Sequence, residues 1–586
     1  MSPRYVAIVG TDCERLRAIL HRASGLRIVL NFPTILLACH ESADRIDLGD
    51  TRGTIIGTLF DRLTNRLLSQ LSDAEIRDCL QTRGASLFKR YWGNYVAVLT
   101  DEGGTVTLMR DPSGAIPCYV WKSATGRVIT SDVRVCTALG LIPSEIDWQA
   151  VAAHLLWPDR RACRTCVRGV SELVAGSRLE AGEDGSRIDA AWVPWHFTSG
   201  DRQIDDAGDA ADAVRSSVLG SVGAWCDRYA RPLVSLSGGL DSSLVMACAK
   251  RPIAAVTLMT HEALGDERKY AKAVSDWRSV PLIEARKVVD AVDPKRSNAA
   301  SLPRPVSRLF AQELDRIWAE TVSVTGADAL YHGGGGDNVF CYLASSTPYL
   351  DAVLTAQPSR TRRAVLASLS RMTNVSGWRI RRAAFRKALE RGRYRWPRDP
   401  RLLTREAIRI AGRLEPHPWF EKMPAWTLPG KQAHVAALLG IQNYLEAVVP
   451  PQHVPVIAPL MSQPVVETCL QIPTWLWCRD GMNRVVARDA FRDQLPAIII
   501  DRRTKGSPVA FGAQMVAAKR RTIRELLGDG HLAAKRLIDI DAVDQALGSE
   551  GPLRGNTYLR VAALVDVEAW LQTWIGTSLS FPRAHN

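Results

Sequence analysis

The sequence predicts a two-domain α/β protein: an antiparallel, β-rich first part and a parallel, helix-covered second part. Three observations predict it. Short β-branched runs bounded by turn residues dominate residues 1–195. From about residue 207, strand-like apolar runs alternate with helix-like stretches. The length of 586 residues exceeds what one ordinary core supports.

In the first part, Tyr5-Val6-Ala7-Ile8-Val9, Arg27-Ile28-Val29-Leu30, Tyr95-Val96-Ala97-Val98-Leu99 and Thr105-Val106-Thr107-Leu108-Met109 read as strands. Asp101-Glu102-Gly103-Gly104 reads as a turn between two of them. Residues 198–206 are polar and serve as a linker. A helix over 207–224 then leads to a buried strand at 232–236, a glycine turn and a helix starting near Ser242. A second strand at 254–260 and a helix at 267–277 continue the alternation, and the chain beyond about 360 reads as mostly helical. The expected domains are 1–195 and 207–586.

The chain is 46% hydrophobic and 23% charged, as in soluble globular proteins. A net charge of +14 makes the surface attract anions such as ATP, an acidic peptide, a nucleic acid or a membrane surface. No nucleic-acid-binding pattern accompanies the charge, so nucleic acid is not an expected partner. The 12 cysteines are scattered, apart from Cys163 and Cys166, which lack a second pair at zinc spacing. Reduced thiols, no signal peptide and a cytoplasmic location are expected. No run of 18 apolar residues occurs, so no membrane span is expected. Residues 360–413 are rich in arginine, with Trp378, Tyr394 and Trp396 interleaved. They read as solvated helix faces or as a docking surface for an acidic peptide or partner protein.

The chemistry-bearing stretch is Ser237-Gly238-Gly239-Leu240-Asp241-Ser242-Ser243. The strand before it is Pro232-Leu233-Val234-Ser235-Leu236. Asp241, Ser242 and Ser243 are good N-cap residues for the helix that follows. Strand, glycine turn and helix start together present backbone N–H groups and a positive dipole end to phosphate. The serine hydroxyls add donors. A carboxylate at Asp241 fits phosphate when Mg²⁺ lies between them. The glycine spacing and lysine of a Walker A loop are absent.

This run resembles the pyrophosphate loop of the asparagine synthetase superfamily. Members make an acyl-adenylate from a carboxylate and ATP. Asp266-Glu267 with Tyr270-Ala271 is similar to the family's helix after its second strand. Tyr331-His332-Gly333-Gly334-Gly335-Gly336-Asp337-Asn338-Val339-Phe340 resembles its second glycine-rich loop. Arg484, Arg488, Leu495-Pro496 and Arg503-Thr504-Lys505-Gly506 resemble its C-terminal segment, which supplies an essential lysine. The resemblance covers about 207–515. It implies an ATP-pyrophosphatase-type parallel domain with ATP and Mg²⁺ as cofactors. ATP contacts are expected at Ser235, Ser237, Gly238, Gly239, Asp241, Ser242, Ser243, Leu258, His332 and Gly333, with Asp241 and Asp337 as metal ligands. Lys505 is the expected catalytic residue, a fixed cation for the developing phosphate charge, with Arg502 and Arg503 beside it. Asn338 stands where the family usually has Glu, which removes an acid–base role there.

Residues 87–137 resemble the later part of the family's glutaminase-like (Ntn-type) β-sandwich domain, best at Arg110-Asp111-Pro112-Ser113-Gly114-Ala115-Ile116-Pro117-Cys118-Tyr119 with Ser131-Asp132. The family's glutaminase uses a cysteine directly after the initiator Met. Here residue 2 is Ser2 and the first cysteine is Cys13. A scaffold without glutaminase activity is expected, with the amine supplied by the substrate. Lasso-peptide cyclases are the most similar members, and Gly53-Thr54-Ile55-Ile56-Gly57-Thr58-Leu59-Phe60 resembles a segment of theirs. This implies AMP-forming closure of an isopeptide bond between a peptide N-terminal amine and an Asp or Glu side chain. It also implies a precursor peptide, a leader peptidase and a leader-recognition protein as partners. A small-molecule cyclase like the β-lactam synthetases, an ammonia-dependent asparagine synthetase and a non-catalytic scaffold are the alternatives. The β-lactam enzymes carry a Tyr where Gly334 stands here.

Overall fold

The computed structural model describes residues 4–10, 25–49, 52–123, 126–182, 185–259, 266–306, 308–390, 394–413, 415–451, 454–503, 509–548 and 557–578. The first part folds as two packed antiparallel sheets. One orders its strands Val170–Glu172, Tyr119–Lys122, Gly126–Thr130, Tyr5–Gly10, Ile35–His40 and Leu26–Asn31. The other runs Gly185–Ala190, Ser177–Gly182, Val106–Arg110, Tyr91–Thr100, Gly53–Asp61 and Arg45–Asp47. Tyr5, Ala7, Val9, Leu37, Val96, Val98 and Leu108 fill the space between the sheets, as alternating inward positions should.

The second part is built on a five-stranded parallel sheet. Its strands lie in the order Leu282–Arg286, Ala254–Met259, Pro232–Ser235, Ala329–His332 and Val456–Ile457. Helices Ala207–Arg228, Leu240–Cys248, Arg268–Arg278 and Ala311–Thr325 connect and cover it, and helices dominate beyond residue 347. The protein is thus α/β, as the sequence predicts. Among the described residues no helix is long and apolar enough to cross a membrane.

The two parts share a core. Phe60 and Trp92 stack at 4.5 Å between ring centroids, and Trp225 of helix Ala207–Arg228 meets Phe60 edge-on at 4.9 Å. A buried ionic network crosses the same boundary. Glu172 pairs with Arg110 at 2.5 Å, Arg161 at 2.5 Å and Arg304 at 3.0 Å, and Arg161 also reaches Glu446 at 2.8 Å. Burial opposes ionisation of Glu172, yet the three guanidiniums hold its carboxyl well below the usual range. Arg110 also donates to the carbonyls of Ile116, Leu173 and Gly114, and Asp111 accepts from the N–H groups of Tyr95 and Ser113. The Arg110-Asp111-Pro112-Ser113-Gly114 motif is therefore a structural turn anchored to the domain boundary.

Candidate active site

The parallel sheet reverses its direction of growth between Pro232–Ser235 and Ala329–His332. From the first of these strands the chain builds outward through Ala254–Met259 to Leu282–Arg286, then returns to the opposite side. Ligands of open α/β sheets sit beyond the carboxyl ends of the strands at such a switch point. Both glycine loops leave the sheet there, because Ser235 and His332 are register partners.

The first loop is held by its own serines. Ser237 N–H donates to Ser242 Oγ at 3.1 Å, and the Ser237 and Ser242 hydroxyls lie 3.1 Å apart. Ser242 and Ser243 donate to the Gly239 carbonyl at 3.2 and 2.8 Å. Gly239, not an acidic or hydroxyl residue, occupies the N-cap of helix Leu240–Cys248, and Asp241 lies within the first turn. The side chains expected to cap the helix instead sit inside it, where a carboxylate interacts favourably with the dipole.

The second loop packs directly onto the first. A Cβ on Gly333 would lie 2.4 Å from the Ser242 nitrogen, and one on Gly336 would lie 2.4 Å from Asp241 Cγ. Both clashes involve backbone or a buried side chain, so only glycine lets the loops touch. At these two positions the glycines admit the neighbouring loop. Asn338 donates to the Ala437 carbonyl at 2.9 Å, which ties the loop to helix Pro429–Glu446.

This contact brings Asp241 and Asp337 to one side chain. Arg484 Nη1 lies 2.8 Å from Asp241 Oδ1, 3.0 Å from Asp241 Oδ2 and 2.6 Å from Asp337 Oδ1. Arg484 is only 5% exposed. It adopts a left-handed backbone (φ +53°) between the hairpin of Cys478–Arg479 with Met482–Asn483 and helix Val485–Ala490. Burial disfavours its charge, but the two carboxylates keep it protonated. Arg488 donates to the carbonyls of Asn483 and Ile499 at 2.9 and 3.3 Å, and also to Ile500. Burial and the Arg484 charge pull Arg488 down to about 10.

Arg502 closes the other side of the first loop. It donates to the Gly238 carbonyl at 2.9 Å, pairs with Glu267 at 2.7 Å and lies 3.6 Å over the Tyr270 ring. The Glu267 and Tyr270 singled out in the sequence therefore meet the loop through an arginine. Arg503 is exposed and donates to the Asp480 carbonyl at 3.2 Å. Lys505 lies outside the described residues, as do Ser2 and Cys13.

His332 accepts from Gly334 N–H at 3.0 Å through Nδ1, and burial pushes it down to about 4, so it is neutral at physiological pH. Trp318 lies 5.7 Å from the His332 ring and donates to Ser235 Oγ at 3.2 Å. Sequence reasoning misses Trp318, because an aromatic on an amphipathic helix reads as core. Leu258 belongs to the apolar cluster of Leu233, Trp318 and Leu330. Behind the second loop, a cavity of about 380 Å³ lies between the two parts of the chain, with Asn94 and Ser113 on one wall and His332, Glu446 and Met461 on the other.

Three comparisons with known proteins bear on this arrangement. A glutamine amidotransferase domain model matches residues 59–192, and an asparagine synthase model matches residues 213–575. The carboxyethyl-arginine beta-lactam-synthase of Streptomyces clavuligerus is 27% identical over 283 residues, 46% of this chain and 48% of that protein. The chain thus spans about half the length of this curated relative. Among solved structures, the glutamine PRPP amidotransferase of B. subtilis aligns with 10% identity and a TM-score of 0.20, over 48% of this chain and 65% of that one. An allosteric regulatory enzyme of purine biosynthesis aligns with 8% identity and a TM-score of 0.21, over 49% and 75%. The asparagine synthase match takes in more than half of the sequence and contains both glycine loops and Arg484: the chain belongs to the asparagine synthase family.

Proposed function

We propose that this protein is an ATP-dependent amide ligase that activates a carboxylate as an acyl-adenylate and closes an isopeptide macrolactam on a lasso-type precursor peptide. The observation that carries the ligase reading is the meeting of two glycine loops at the sheet's switch point, with Asp241 and Asp337 converging on one nitrogen of Arg484. The first loop offers ATP phosphates its backbone N–H groups and the N-terminus of helix Leu240–Cys248. Arg502 sets the loop's outer wall, and Lys505 supplies the cation for charge developing on the α-phosphate.

Asp241 and Asp337 would hold a magnesium ion only with Arg484, whose Nη1 nitrogen stands where the two carboxylates meet, displaced from that point. Two carboxylates reach one point, and among the described residues no group of three or more candidate ligands exists. An ion held by these two carboxylates would need further ligands from phosphate and water. Magnesium, when bound, neutralises charge on the transferring phosphates.

The amine comes from the substrate itself. Every cysteine among the described residues is buried or nearly so, and burial pushes Cys79, Cys136, Cys163, Cys166 and Cys248 up to about 12 and Cys118 to about 11. None of these six is a thiolate nucleophile at neutral pH. A tethered amine gains a large effective concentration over free ammonia. The relative from Streptomyces clavuligerus, named for a β-lactam, favours a second reading in which a small amino acid closes on itself.

The test is purified enzyme with ATP, Mg²⁺ and a leader-trimmed peptide carrying a free N-terminal amine. The expected product is one water lighter, accompanied by AMP and pyrophosphate, and acetylating the amine blocks it. ADP with phosphate refutes adenylation. Glutamate released in step with ATP use refutes the internal amine. Closure of a small β-amino acid instead of the peptide selects the second reading.

A further inference from the structure

Helix Gly377–Leu389 carries five basic residues and no acidic one: Arg379, Arg381, Arg382, Arg386 and Lys387. Its inner face is short and apolar. Ile380 and Ala384 are buried against Val365, Leu366, Leu369 and Trp475, so the helix is fixed to the domain by that side. The opposite face is solvent-exposed and is not polar. Trp378, Phe385 and Leu389 fall within about one-ninth of a turn at 3.6 residues per turn, and they are 65%, 66% and 66% exposed. Arg382 lies among them, with its guanidinium 5.6 Å from the Trp378 ring, and Arg379, Arg381 and Arg386 are exposed along the flanks. An amphipathic helix in a globular protein turns its large apolar residues inward. This one turns them out and surrounds them with fixed positive charge.

We propose that this face is a peripheral docking site for an anionic lipid surface. Two arguments select lipid over protein. The three side chains offer on the order of 400 Å² of apolar surface, about half of the roughly 800 Å² per partner that a specific protein interface needs. A bilayer interface needs only a few inserted aromatic and aliphatic side chains beside basic ones, and aromatic rings are favoured at headgroup depth. A second copy of this chain would bring one arginine-lined face against another, with a net charge of +14 on each copy. That pairing is repulsive, whereas anionic headgroups are complementary. The proposal does not depend on the macrolactam reading, because the exposed face points away from the core that the helix shares with Trp475 and Cys478.

The experiment is flotation of the full chain with vesicles of phosphatidylcholine alone and of phosphatidylcholine mixed equally with phosphatidylglycerol, at low and high salt. Co-flotation is expected only with the mixed vesicles, and salt weakens it. Arg381→Gln combined with Arg382→Gln lowers the partition coefficient by roughly 25-fold, about fivefold for each arginine. Trp378→Ser, Phe385→Ser and Leu389→Ser together abolish flotation while leaving the circular dichroism spectrum and the melting temperature within a few degrees of the parent. Failure of the parent chain to float, or equal flotation by the triple variant, overturns the proposal. So does a concentration-dependent dimer, seen by sedimentation, that the triple variant loses.

Discussion

Arg484 and Asp241 form a buried pair 243 positions apart in sequence, with Nη1 at 2.8 and 3.0 Å from the two carboxylate oxygens. The same nitrogen reaches Asp337 at 2.6 Å. One guanidinium thereby offsets one of the two negative charges that the ligase reading assigns to a divalent cation. Without it, two like charges face each other in a mostly buried site, an arrangement that favours protonation or displacement of one of them. The arginine holds the two carboxylates together beside the glycine loops.

Arg484→Met keeps an unbranched stem, shorter than arginine by the outer guanidinium atoms, and removes the charge. Breaking a buried pair from one side costs roughly 3–5 kcal/mol. Thermal melting of this variant is expected to fall without Mg²⁺, and added Mg²⁺ with ATP should raise its midpoint more than it raises the parent's. An identical response of both proteins to Mg²⁺ shows that the carboxylates do not meet a cation.

Asp241→Asn and Asp337→Asn are each expected to lower ATP–pyrophosphate exchange by at least about 100-fold, because charge neutralisation at transferring phosphates is a large term. Asp241 should be the more damaging to stability, since it is buried while Asp337 is about one-third exposed. Undiminished exchange in Asp337→Asn removes that residue from the metal set and leaves Asp241 in it.

The strand–glycine–helix unit at 232–248 was legible in the sequence because every part of it is local. An apolar strand, two glycines and a helix start lie within a few residues, and each dictates its own backbone. The second loop was legible as glycine-rich, but not what its glycines do. Gly333 and Gly336 answer to Ser242 and Asp241, about 90 positions away, and no periodicity encodes that contact. Arg484 was visible as one arginine in a basic segment, and its pairing was not. The same holds for helix Gly377–Leu389. Its arginines and Trp378 stood out in composition, whereas the outward phase of Trp378, Phe385 and Leu389 depends on which side Ile380 and Ala384 bury.

Glu172→Gln tests the joint between the two parts of the chain. The substitution preserves shape and leaves Arg110, Arg161 and Arg304 buried without their shared carboxylate. A loss of roughly 3–5 kcal/mol in urea unfolding is expected. Glu320→Gln is the control: Glu320 pairs with Arg316 at 2.7 Å but is mostly exposed, so its loss should stay below about 1 kcal/mol. Similar effects from the two substitutions contradict a structural role for the buried network.

His332 links the second loop to acid stability. Burial holds its folded-state pKa at about 4, against an ordinary value of 6.5. As pH falls through that window, the unfolded chain takes up the proton and the folded protein does not. The unfolded state then binds more protons, so this residue's contribution to stability falls as pH falls and is constant above 6.5. The full shift corresponds to about 3 kcal/mol between pH 6.5 and 4. Other buried groups titrate in the same range with opposite signs: His154 is also pushed down to about 4, and Asp351 is pushed up to about 7. The parent's own pH profile therefore mixes these effects, and the difference between parent and His332→Asn isolates one of them. Asparagine places an acceptor near the position of Nδ1, so the bond from Gly334 N–H survives while the titration disappears. Urea unfolding of both proteins across pH 4–7.5 should show the parent losing stability relative to the variant as the solution is acidified. A difference that does not change with pH shows that His332 is protonated in the folded protein as readily as in the unfolded chain, and that the loop opens to water at its position.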